Sequence, residues 1–394
     1  MTKTTTPHII PREAHTLSRD DISPNALKVL YGLKEAGFSA YLVGGSVRDL
    51  LLGHHPKDFD IATNAHPEEI KRLFRRCILI GRRFRLAHVY FGKEIIEVAT
   101  FRADHSKAEQ EHEARRIGHL IVRDNVYGTI DEDAIRRDFT VNSLYYNIND
   151  HSVVSYCGGW DDLKNNQIRM IGNPAQRYQE DPARLLRAIR FAAKLNFTLE
   201  QNTEKPLYSM GALIHQIAPP RLFEEMLKLF LKGHAEKTFD LLLKYNLFKE
   251  LFPYTDPSQK LLRLAMRNSD KRIAEGKTLT PSFILAVLLW QPFLSALEHV
   301  SLQDAIHQTI KKHTQFMTIP KRFTSAVEEM WRLQFRMKKR NRRAAHKIAT
   351  HPRFRAAFDF LQLRAESGED LQLLTKWWLK FYDSERTMEF QDKS

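Results

Sequence analysis

Two aspartates separated by a single residue are the strongest chemical feature of the sequence. Asp58 and Asp60 flank Phe59 at the start of the run Phe59–Ala62, which is predicted to be a β-strand. Side chains at positions i and i+2 of a strand point to the same face, so both carboxylates project together. Adjacent carboxylates repel one another and ionise less readily unless a cation neutralises them. Mg2+ is commonly held by one or two carboxylates together with substrate phosphates, so the pair is a candidate metal site.

A glycine pair lies upstream of the aspartates. Gly44 and Gly45 follow the short apolar run Tyr41–Val43 and precede a helix predicted to begin at Ser46. Backbone N–H groups at such a turn and helix start suit a phosphate. Either motif alone more often marks an ordinary turn or a solvated loop. Their joint spacing favours a nucleoside triphosphate site, in which Gly44, Gly45 and Arg48 would bind the phosphates.

A third carboxylate, Glu97, lies in the middle of the predicted strand Ile95–Thr100. Burying an unpaired carboxylate is costly, so its position in an otherwise apolar strand indicates a role beyond packing. Glu97 is therefore a candidate metal ligand beside Asp58 and Asp60. The alternative is that Glu97 faces solvent at a sheet edge, and the sequence leaves both interpretations open.

A second cluster of charges consists of Arg136, Arg137 and Asp138, directly before the segment Phe139–Asn142. Guanidinium groups bind phosphate oxygens, and a carboxylate can hold a metal ion or orient an arginine. A surface helix end with ion pairs has the same composition, so the cluster alone does not decide between the two interpretations.

Taken together, these segments resemble a known family through the motifs GGSVRDLLLG, KDFDIAT and RRDFTVN. They are similar to the head-domain signature of the class II tRNA nucleotidyltransferase and poly(A) polymerase family, within the polymerase-beta-like nucleotidyltransferases. The resemblance implies an α+β fold, in which a catalytic head with a mixed sheet and helices precedes an all-α neck, body and leg. It also implies that Asp138 is catalytic together with Asp58 and Asp60, and that Arg137 binds nucleotide. Asp138 and Glu97 remain alternatives for the third metal-proximal carboxylate.

The first strongly helical segment after the head, Glu180–Phe191, reads EDPARLLRAIRF. Asp181, Arg184 and Arg187 follow one another at intervals of three residues, so they share one helix face. An arginine row of this kind can be plain surface charge. The resemblance to the family motif E-D-x-x-R-x-x-R-A-x-R-F implies instead that these three residues contact the base or ribose of the incoming nucleotide. Arg190 completes the predicted nucleotide-binding set.

Basic residues concentrate near the C-terminus of the chain. The formal net charge of the 394 residues is +14, which favours a polyanionic partner. Residues 321–364 contain thirteen Lys or Arg against three Asp or Glu. Basic helix faces are usually only solvated. The large excess of basic over acidic residues in this segment nevertheless favours a surface that binds the RNA backbone. The predicted RNA-binding residues are Lys338, Lys339, Arg340, Arg342 and Arg343. The aromatic residues interleaved with this segment, which would stack on bases, are Trp331, Phe335, Phe354 and Phe358.

The sequence predicts four segments. Residues 1–20 are a flexible N-terminal segment, 21–172 the nucleotidyltransferase head, 173–235 a helical neck with the nucleotide-recognition motif, and 236–394 a helical body with the basic RNA-binding region. Within the head, the polar residues 104–119 are predicted to be a loop.

Composition narrows the cellular setting. The longest apolar run, Phe283–Trp290, is too short to span a bilayer. Cys77 and Cys157 provide neither a disulfide framework nor a metal-binding spacing. Without a signal-like N-terminus, a cytoplasmic location is expected, with RNA 3′ ends, ATP and proteins of RNA decay as candidate partners.

One stretch, Leu79–Val89, distinguishes the branches of the family: it resembles the bacterial poly(A) polymerase branch. The expected activity is template-independent addition of AMP from ATP to RNA 3′ ends, with release of pyrophosphate, serving RNA processing and decay. Mg2+ is the expected metal, with Mn2+ as a substitute. One alternative is CCA addition to tRNA. Another is a catalytically silent RNA-binding protein, although the intact aspartate pair argues against silence.

Overall fold

The computed structural model describes residues 6–81, 85–103, 114–117, 120–124, 126–340 and 342–391. The chain divides into two compact units. Unit 1 comprises residues 1–184 and 195–207, and unit 2 comprises residues 185–194 and 208–394. The four segments drawn from the sequence remain predictions.

Unit 1 contains an eight-stranded mixed sheet. The strands are β1 (His8–Ile10), β2 (Ala40–Val43), β3 (Asp60–Thr63), β4 (Cys77–Ile80), β5 (Leu86–Phe91), β6 (Glu94–Thr100), β9 (Leu144–Asn147) and β10 (Val153–Ser155). Their order in the sheet is β1-β10-β9-β2-β3-β6-β5-β4, in which β3 and β6 are parallel and the other described pairs are antiparallel.

Two small strand pairs accompany this sheet. Strand β7 (Ala114–Ile117) pairs with β8 (Leu120–Asp124), and β11 (Gln167–Ile168) pairs with β12 (Thr198–Leu199). The predicted loop over residues 104–119 is therefore wrong for 114–117, because backbone pairing with β8 organises that polar stretch. The rest of the predicted loop lies outside the described residues.

The helices of unit 1 follow local sequence signals. Ser23 caps the first helix: its Oγ accepts a hydrogen bond from the backbone N–H of Asn25 at 3.2 Å, and Pro24 occupies the first helical position. The helix Ala183–Leu195 contains the boundary between the two units. The other helices are Pro24–Glu35, Gly45–Leu51, Pro67–Leu73, Ile130–Arg136, Gly159–Lys164, Pro174–Glu180 and Gln201–Glu204.

Unit 2 is all-helical in its described part. Its helices are Pro219–Phe230, Ala235–Lys244, Leu247–Leu251, Lys260–Ala274, Pro281–Leu288, Trp290–Leu297, Leu302–Thr314, Lys321–Arg336, Arg342–Ala349, Phe354–Ser367 and Gln372–Gln391. The observed architecture, a mixed sheet with helices followed by helices, confirms the predicted α+β class. Among the described residues, no helix combines the length and apolarity needed to cross a bilayer.

Aromatic side chains form the core of unit 2. Trp331 stacks on Phe293 with 4.4 Å between ring centroids, and its indole N–H donates a hydrogen bond to the carbonyl of Ala286 at 3.0 Å. Trp331, Phe354 and Phe358 are all buried. The interpretation that these three rings stack on RNA bases is therefore wrong, because they pack between helices. Phe335, the fourth aromatic residue predicted to stack on bases, is partly exposed.

Candidate active site

Strand register places two carboxylates beside the glycine turn. Asp60, the first residue of β3, lies opposite Val43 at the end of β2 and opposite Glu97 on β6. The turn that follows Val43 begins at Gly44. The glycine turn, Asp60 and Glu97 therefore occupy adjacent positions across three neighbouring strands, although they are far apart in the sequence.

Asp58 and Asp60 alternate with the buried ring of Phe59. Asp58 precedes the strand and is exposed, whereas Asp60 is partly buried. Burial raises the pKa of Asp60 to about 6, the negative charge of Glu97 adds to the effect, and Asp58 contributes a smaller increase. Arg137 acts in the opposite direction. The charge of Asp58 therefore acts on Asp60 in the structure, in the direction expected for two neighbouring carboxylates.

Glu97 faces a histidine as well as Asp60. Its Oε2 lies 3.2 Å from Nε2 of His88 on β5, and its side chain is 41% exposed. Within the described ranges, no three His, Cys, Asp or Glu side chains are gathered closely enough to hold a metal ion. Asp60 and Glu97 are neighbours in the sheet, and Asp58 lies just before the strand of Asp60, but their oxygen atoms do not form a closed metal site.

The glycine turn rests on a buried arginine. Gly44 has a φ angle of +73°, a conformation that favours glycine, and it precedes the helix Gly45–Leu51. The Arg48 guanidinium lies beneath the turn, 3.4 Å from where a Cβ of Gly45 would be. Arg48 is only 2% exposed, pairs with Asp49 at 2.6 Å and donates a hydrogen bond to Asn142 Oδ1. This burial gives Arg48 a supporting role, and its contact with phosphate remains a prediction.

A buried network fixes Arg137 beside Asp60. Asp133 Oδ2 accepts hydrogen bonds from Arg137 Nη2 at 3.0 Å and from the Tyr145 hydroxyl at 2.7 Å, and Arg137 Nε donates to the same hydroxyl at 2.8 Å. Burial acts to raise the pKa of Asp133, but the charges of Arg137 and Arg102 and the hydrogen bonds from Tyr145 and Arg137 together outweigh it and leave the pKa lowered. Arg137 Nη1 would lie 3.4 Å from a Cβ on Gly44. Sequence analysis missed Asp133 and Tyr145, because neither lies in a recognisable motif.

A cavity of 190 Å³ opens between these groups. Asp60, Glu97 and Arg137 line it together with Arg85 and Arg102, two cations that sequence analysis did not select. Because pockets for drug-sized ligands span roughly 300–1,000 Å³, this volume suits a phosphate group better than a whole nucleotide.

Asp138 supports its own segment. Its Oδ1 accepts hydrogen bonds from the backbone N–H of Phe139 at 2.8 Å and from Asn142 Nδ2 at 3.1 Å. Glu97, rather than Asp138, is among the charges that raise the pKa of Asp60. The catalytic role predicted for Asp138 is untested by this geometry.

A buried arginine cluster connects this segment to the predicted base-recognition motif. Glu180 Oε2 accepts hydrogen bonds from Arg177 at 3.1 Å and from Arg184 at 3.2 Å. Arg177 also donates to the carbonyls of Arg136 and Arg137, at 2.7 and 2.5 Å. Burial lowers the pKa of Arg177 to about 10, and the charge of Arg184 adds to the effect. Sequence analysis missed Arg177, although its spacing of three residues from Glu180 is a detectable signal.

The remaining predicted residues of the motif are partly exposed. Asp181 ends the helix Pro174–Glu180 in unit 1, whereas Arg187 and Arg190 belong to unit 2. The guanidinium groups of Arg187 and Arg190 lie 5.3 and 4.8 Å from the ring centroid of Phe191. Their contact with a nucleotide remains a prediction.

Three family models match the chain. They are the poly A polymerase head domain over residues 40–169, the "Probable RNA and SrmB- binding site of polymerase A" over 196–259, and the polymerase A arginine-rich C-terminus over 295–392. Poly(A) polymerase I of Salmonella typhimurium strain LT2 is 46% identical over 403 residues, which cover 96% of this chain and 87% of the relative. The chain belongs to the poly(A) polymerase family.

CCA-adding enzymes share the fold of this poly(A) polymerase family member but match less of its sequence. The CCA-adding enzyme of Lactobacillus helveticus is 39% identical over 231 residues, which cover 59% of this chain and 56% of the relative. The structure of the Bacillus stearothermophilus CCA-adding enzyme in complex with CTP superposes with a TM-score of 0.64 at 24% identity, covering 92% of this chain and 83% of that one. At that identity the likeness shows the fold alone.

Two further predictions for this poly(A) polymerase family member concern the branch-specific stretch and the basic cluster. Arg82, Arg83 and Phe84, the centre of the branch-specific stretch, lie outside the described residues, between β4 and β5. In unit 2, the exposed basic residues follow or begin helices: Lys338, Lys339, Arg340, Arg342 and Arg343. Cys77 and Cys157 are both free, as the sequence predicted.

Proposed function

We propose that this chain is a template-independent polynucleotide adenylyltransferase that adds AMP from ATP to RNA 3′ ends. The observation that carries the proposal is the 46% identity to poly(A) polymerase I across 96% of the chain, combined with the aspartate pair at the centre of the sheet. In this reaction the 3′ oxygen of RNA attacks the α-phosphorus of ATP. The bond from that phosphorus to the oxygen bridging the β-phosphate breaks, and pyrophosphate leaves.

The carboxylates at this site fit a divalent cation. An Asp60 pKa of about 6 reflects a partly buried negative charge beside two like charges, which a bound cation would relieve. An all-oxygen donor set suits Mg2+, and Mn2+ accepts the same ligands. When bound, the metal would neutralise the charge of the triphosphate and of the leaving pyrophosphate. We assign Asp58 and Asp60 as its ligands.

Glu97 is the better candidate for the third carboxylate. It lies opposite Asp60 in the sheet and raises the pKa of that residue, whereas Asp138 is bonded to the backbone and to Asn142. Asp138 then contributes to catalysis indirectly: its hydrogen bonds fix the conformation of the segment that contains Arg137 and Asn142. Arg137 would bind the phosphates from its position beside Gly44.

The remaining proposed nucleotide contacts come from two sequence motifs, the glycine turn and the segment Glu180–Phe191. Gly44 and Gly45 bring backbone N–H groups to the phosphates, supported from below by Arg48. Asp181, Arg184, Arg187 and Arg190 would read the base or ribose through their hydrogen-bonding groups. Glu180 would hold Arg184 in its position for this contact.

RNA is held by the basic region of unit 2 in this proposal. The family model described as a probable RNA-binding site covers residues 196–259, which precede this region, and the arginine-rich C-terminal model covers the region itself at 295–392. Proteins of RNA decay remain candidate partners, and a cytoplasmic location remains the expected one.

A primer-extension assay tests the function directly. The purified chain is incubated with a short RNA primer, Mg2+ and each nucleoside triphosphate separately, and the products are resolved on a gel. We expect long, indefinite extension with ATP and poor use of CTP. Because the fold is shared with CCA-adding enzymes, a tRNA that lacks its terminal C-C-A serves as a second substrate. Addition of only those three nucleotides followed by a stop would assign the chain to the other branch.

A further inference from the structure

A cavity in unit 2 combines four arginines with the first turns of three helices. Its volume is 430 Å³, and Arg272, Arg322, Arg353 and Arg355 line it with a single carboxylate, Asp359. The excess of positive charge points to an anionic ligand, because guanidinium groups bind phosphate oxygens in a bidentate geometry.

Three of the four arginines pair with carboxylates, and the fourth does not. Arg272 and Arg355 both pair with Asp359, with N–O distances of 3.2 Å. Arg353 pairs with Glu329 at 3.3 Å, outside the cavity lining. In the part of the chain that the structure describes, no carboxylate lies within ion-pair distance of Arg322, whose guanidinium packs over Phe323 at 4.7 Å. Asp359 therefore balances part of the charge and orients two arginines, while Arg322 remains available to an anion.

Backbone geometry adds to the positive potential. The helices Pro281–Leu288, Lys321–Arg336 and Phe354–Ser367 each contribute first-turn residues to the lining. Their N-cap residues, Thr280, Pro320 and Arg353, make no side-chain capping hydrogen bond. Helix N-termini carry a partial positive charge and unsatisfied N–H groups, so three of them facing one space favour an anion there.

Part of the cavity lining is apolar. Phe283, Phe323 and Met330 line it together with the arginines. A volume of 430 Å³ lies within the usual range for small-ligand pockets and leaves room for more than an inorganic anion. A nucleotide, with a phosphate for the arginines and a ribose or base for the apolar residues, would use both kinds of lining.

We propose that this cavity binds one internal nucleotide of the RNA substrate, with its phosphodiester held by Arg322, Arg355 and Arg272. The site is distinct from the exposed basic cluster at residues 338–343, because none of its lining residues belongs to that cluster. The proposal rests on the proposed function in that the substrate is RNA. The ligand chemistry, a phosphate oxyanion on a nucleoside, would also fit a free mononucleotide, so the experiment separates the two sources.

Binding of a labelled oligoadenylate with a blocked 3′ end, without Mg2+ or ATP, tests the site. The test variant is the pair Arg322→Gln and Arg355→Gln. Its control is Lys271→Gln with Lys321→Gln, exposed residues adjacent in sequence to Arg272 and Arg322 that remove the same charge but do not line the cavity. We expect the test pair to raise the Kd for RNA about tenfold or more, and the control pair to raise it less than about threefold.

For a third variant we expect RNA affinity to increase rather than decrease. Asp359→Asn preserves shape and removes the carboxylate that competes for Arg272 and Arg355, so RNA affinity should increase several-fold. Thermal melts accompany all variants, and Arg322 and Arg355 are exposed enough for their substitution to leave the fold intact.

The outcomes separate the cavity from the function. If the test pair binds RNA as the control pair does, or if Asp359→Asn weakens binding without lowering the melting temperature, the cavity is not an RNA site. If the test pair weakens ATP binding and leaves RNA binding unchanged, the cavity takes a free nucleotide and the proposal is overturned. If the unaltered chain binds no RNA at all, the proposed function fails with it.

Discussion

Asp60 connects the sequence motif to a measurable electrostatic property. Its side chain is partly buried next to Glu97, and its pKa of about 6 lies above the ordinary value of 3.8. Between these two pH values the folded chain holds a proton on Asp60 that the unfolded chain has released. Above pH 6 the ionised side chain therefore lowers the free energy of unfolding of the metal-free protein, and a bound cation offsets this loss.

Asp60→Asn should abolish nucleotide addition while stabilising the metal-free protein. Loss of a metal ligand removes transition-state stabilisation, and we expect the rate to fall by roughly a thousandfold or more. At pH 8 the same change should raise the free energy of unfolding by about 1–3 kcal/mol, because the destabilising charge is gone. Chemical denaturation with and without Mg2+ measures this, and Mg2+ should stabilise only the unaltered chain. Asp58→Asn should lose activity similarly, and a rate near that of the unaltered chain for either variant would exclude the metal-pair assignment.

Tyr145→Phe should affect nucleotide binding through Arg137. The hydroxyl bonds both Asp133 and Arg137, so its removal frees the guanidinium to move and costs roughly 1–3 kcal/mol of stability. We expect the KM for ATP to increase about three- to tenfold with a smaller change in the KM for RNA.

The matched control for this substitution is Tyr156→Phe. The ring of Tyr156 contacts Tyr145 edge-on, with centroids 6.1 Å apart, and among the described residues its hydroxyl has no hydrogen-bond partner. Equal effects of the two substitutions on the KM for ATP would show that Tyr145 does not position Arg137.

The parallel pairing of β3 with β6 brings the carboxylates of Asp60 and Glu97 to neighbouring positions. This register places Glu97 opposite Asp60 without any sequence signal that the two strands are neighbours. The crossover passes through β4 and β5, which complete the edge of the same sheet. The site is therefore a product of strand order rather than of any single motif.

Glu97→Gln should move the acid limb of the pH–rate profile. Its negative charge raises the pKa of Asp60, so its removal should shift that limb to lower pH. If Glu97 also contacts the metal, the Mg2+ concentration for half-maximal rate should increase.

Asp138→Asn is the comparison variant. An increase in the Mg2+ requirement for Asp138→Asn alone would identify Asp138 as the third carboxylate.

Local patterns predicted the elements of the head, and tertiary geometry determined their roles. The cap at Ser23, the strand at Asp60 and the turn at Gly44 follow from residue type and spacing. Spacing alone could not show that Arg48 is buried beneath its own turn, because that depends on Asn142 approaching from a distant segment. Nor could it show that Trp331 belongs to the core, since a tryptophan among basic residues fits an RNA surface equally well.

Over the whole molecule, positive charge is distributed unevenly. Much of the excess of +14 lies in residues 321–364, and the buried rings of Trp331, Phe354 and Phe358 leave that segment little aromatic surface. Contact between RNA and the exposed basic cluster at residues 338–343 should accordingly be electrostatic and independent of base identity. The rings should matter for folding instead, so that truncating Trp331 lowers stability before it alters RNA affinity.

Neutralising the exposed basic cluster should weaken RNA binding without affecting ATP. The variant changes five residues together to Gln: Lys338, Lys339, Arg340, Arg342 and Arg343. Each lost phosphate contact should reduce the slope of log affinity against log salt by about 0.7 for single-stranded RNA. We expect the KM for RNA to rise at least tenfold and the KM for ATP to stay within twofold, because the proposed nucleotide residues lie elsewhere in the chain. Titrations at several salt concentrations provide the slope.

A control with equal charge distinguishes a binding track from a general field effect. Five exposed lysines outside this segment can be changed to Gln instead: Lys28, Lys34, Lys164, Lys260 and Lys271. Coulombic attraction between exposed charges is screened beyond about 8–10 Å at physiological salt, so lysines scattered over the surface should contribute little. If both sets flatten the salt slope equally, the attraction comes from net charge alone. If ATP affinity collapses while the salt slope for RNA is unchanged, residues 338–343 do not contact RNA, and their charge serves another anionic partner.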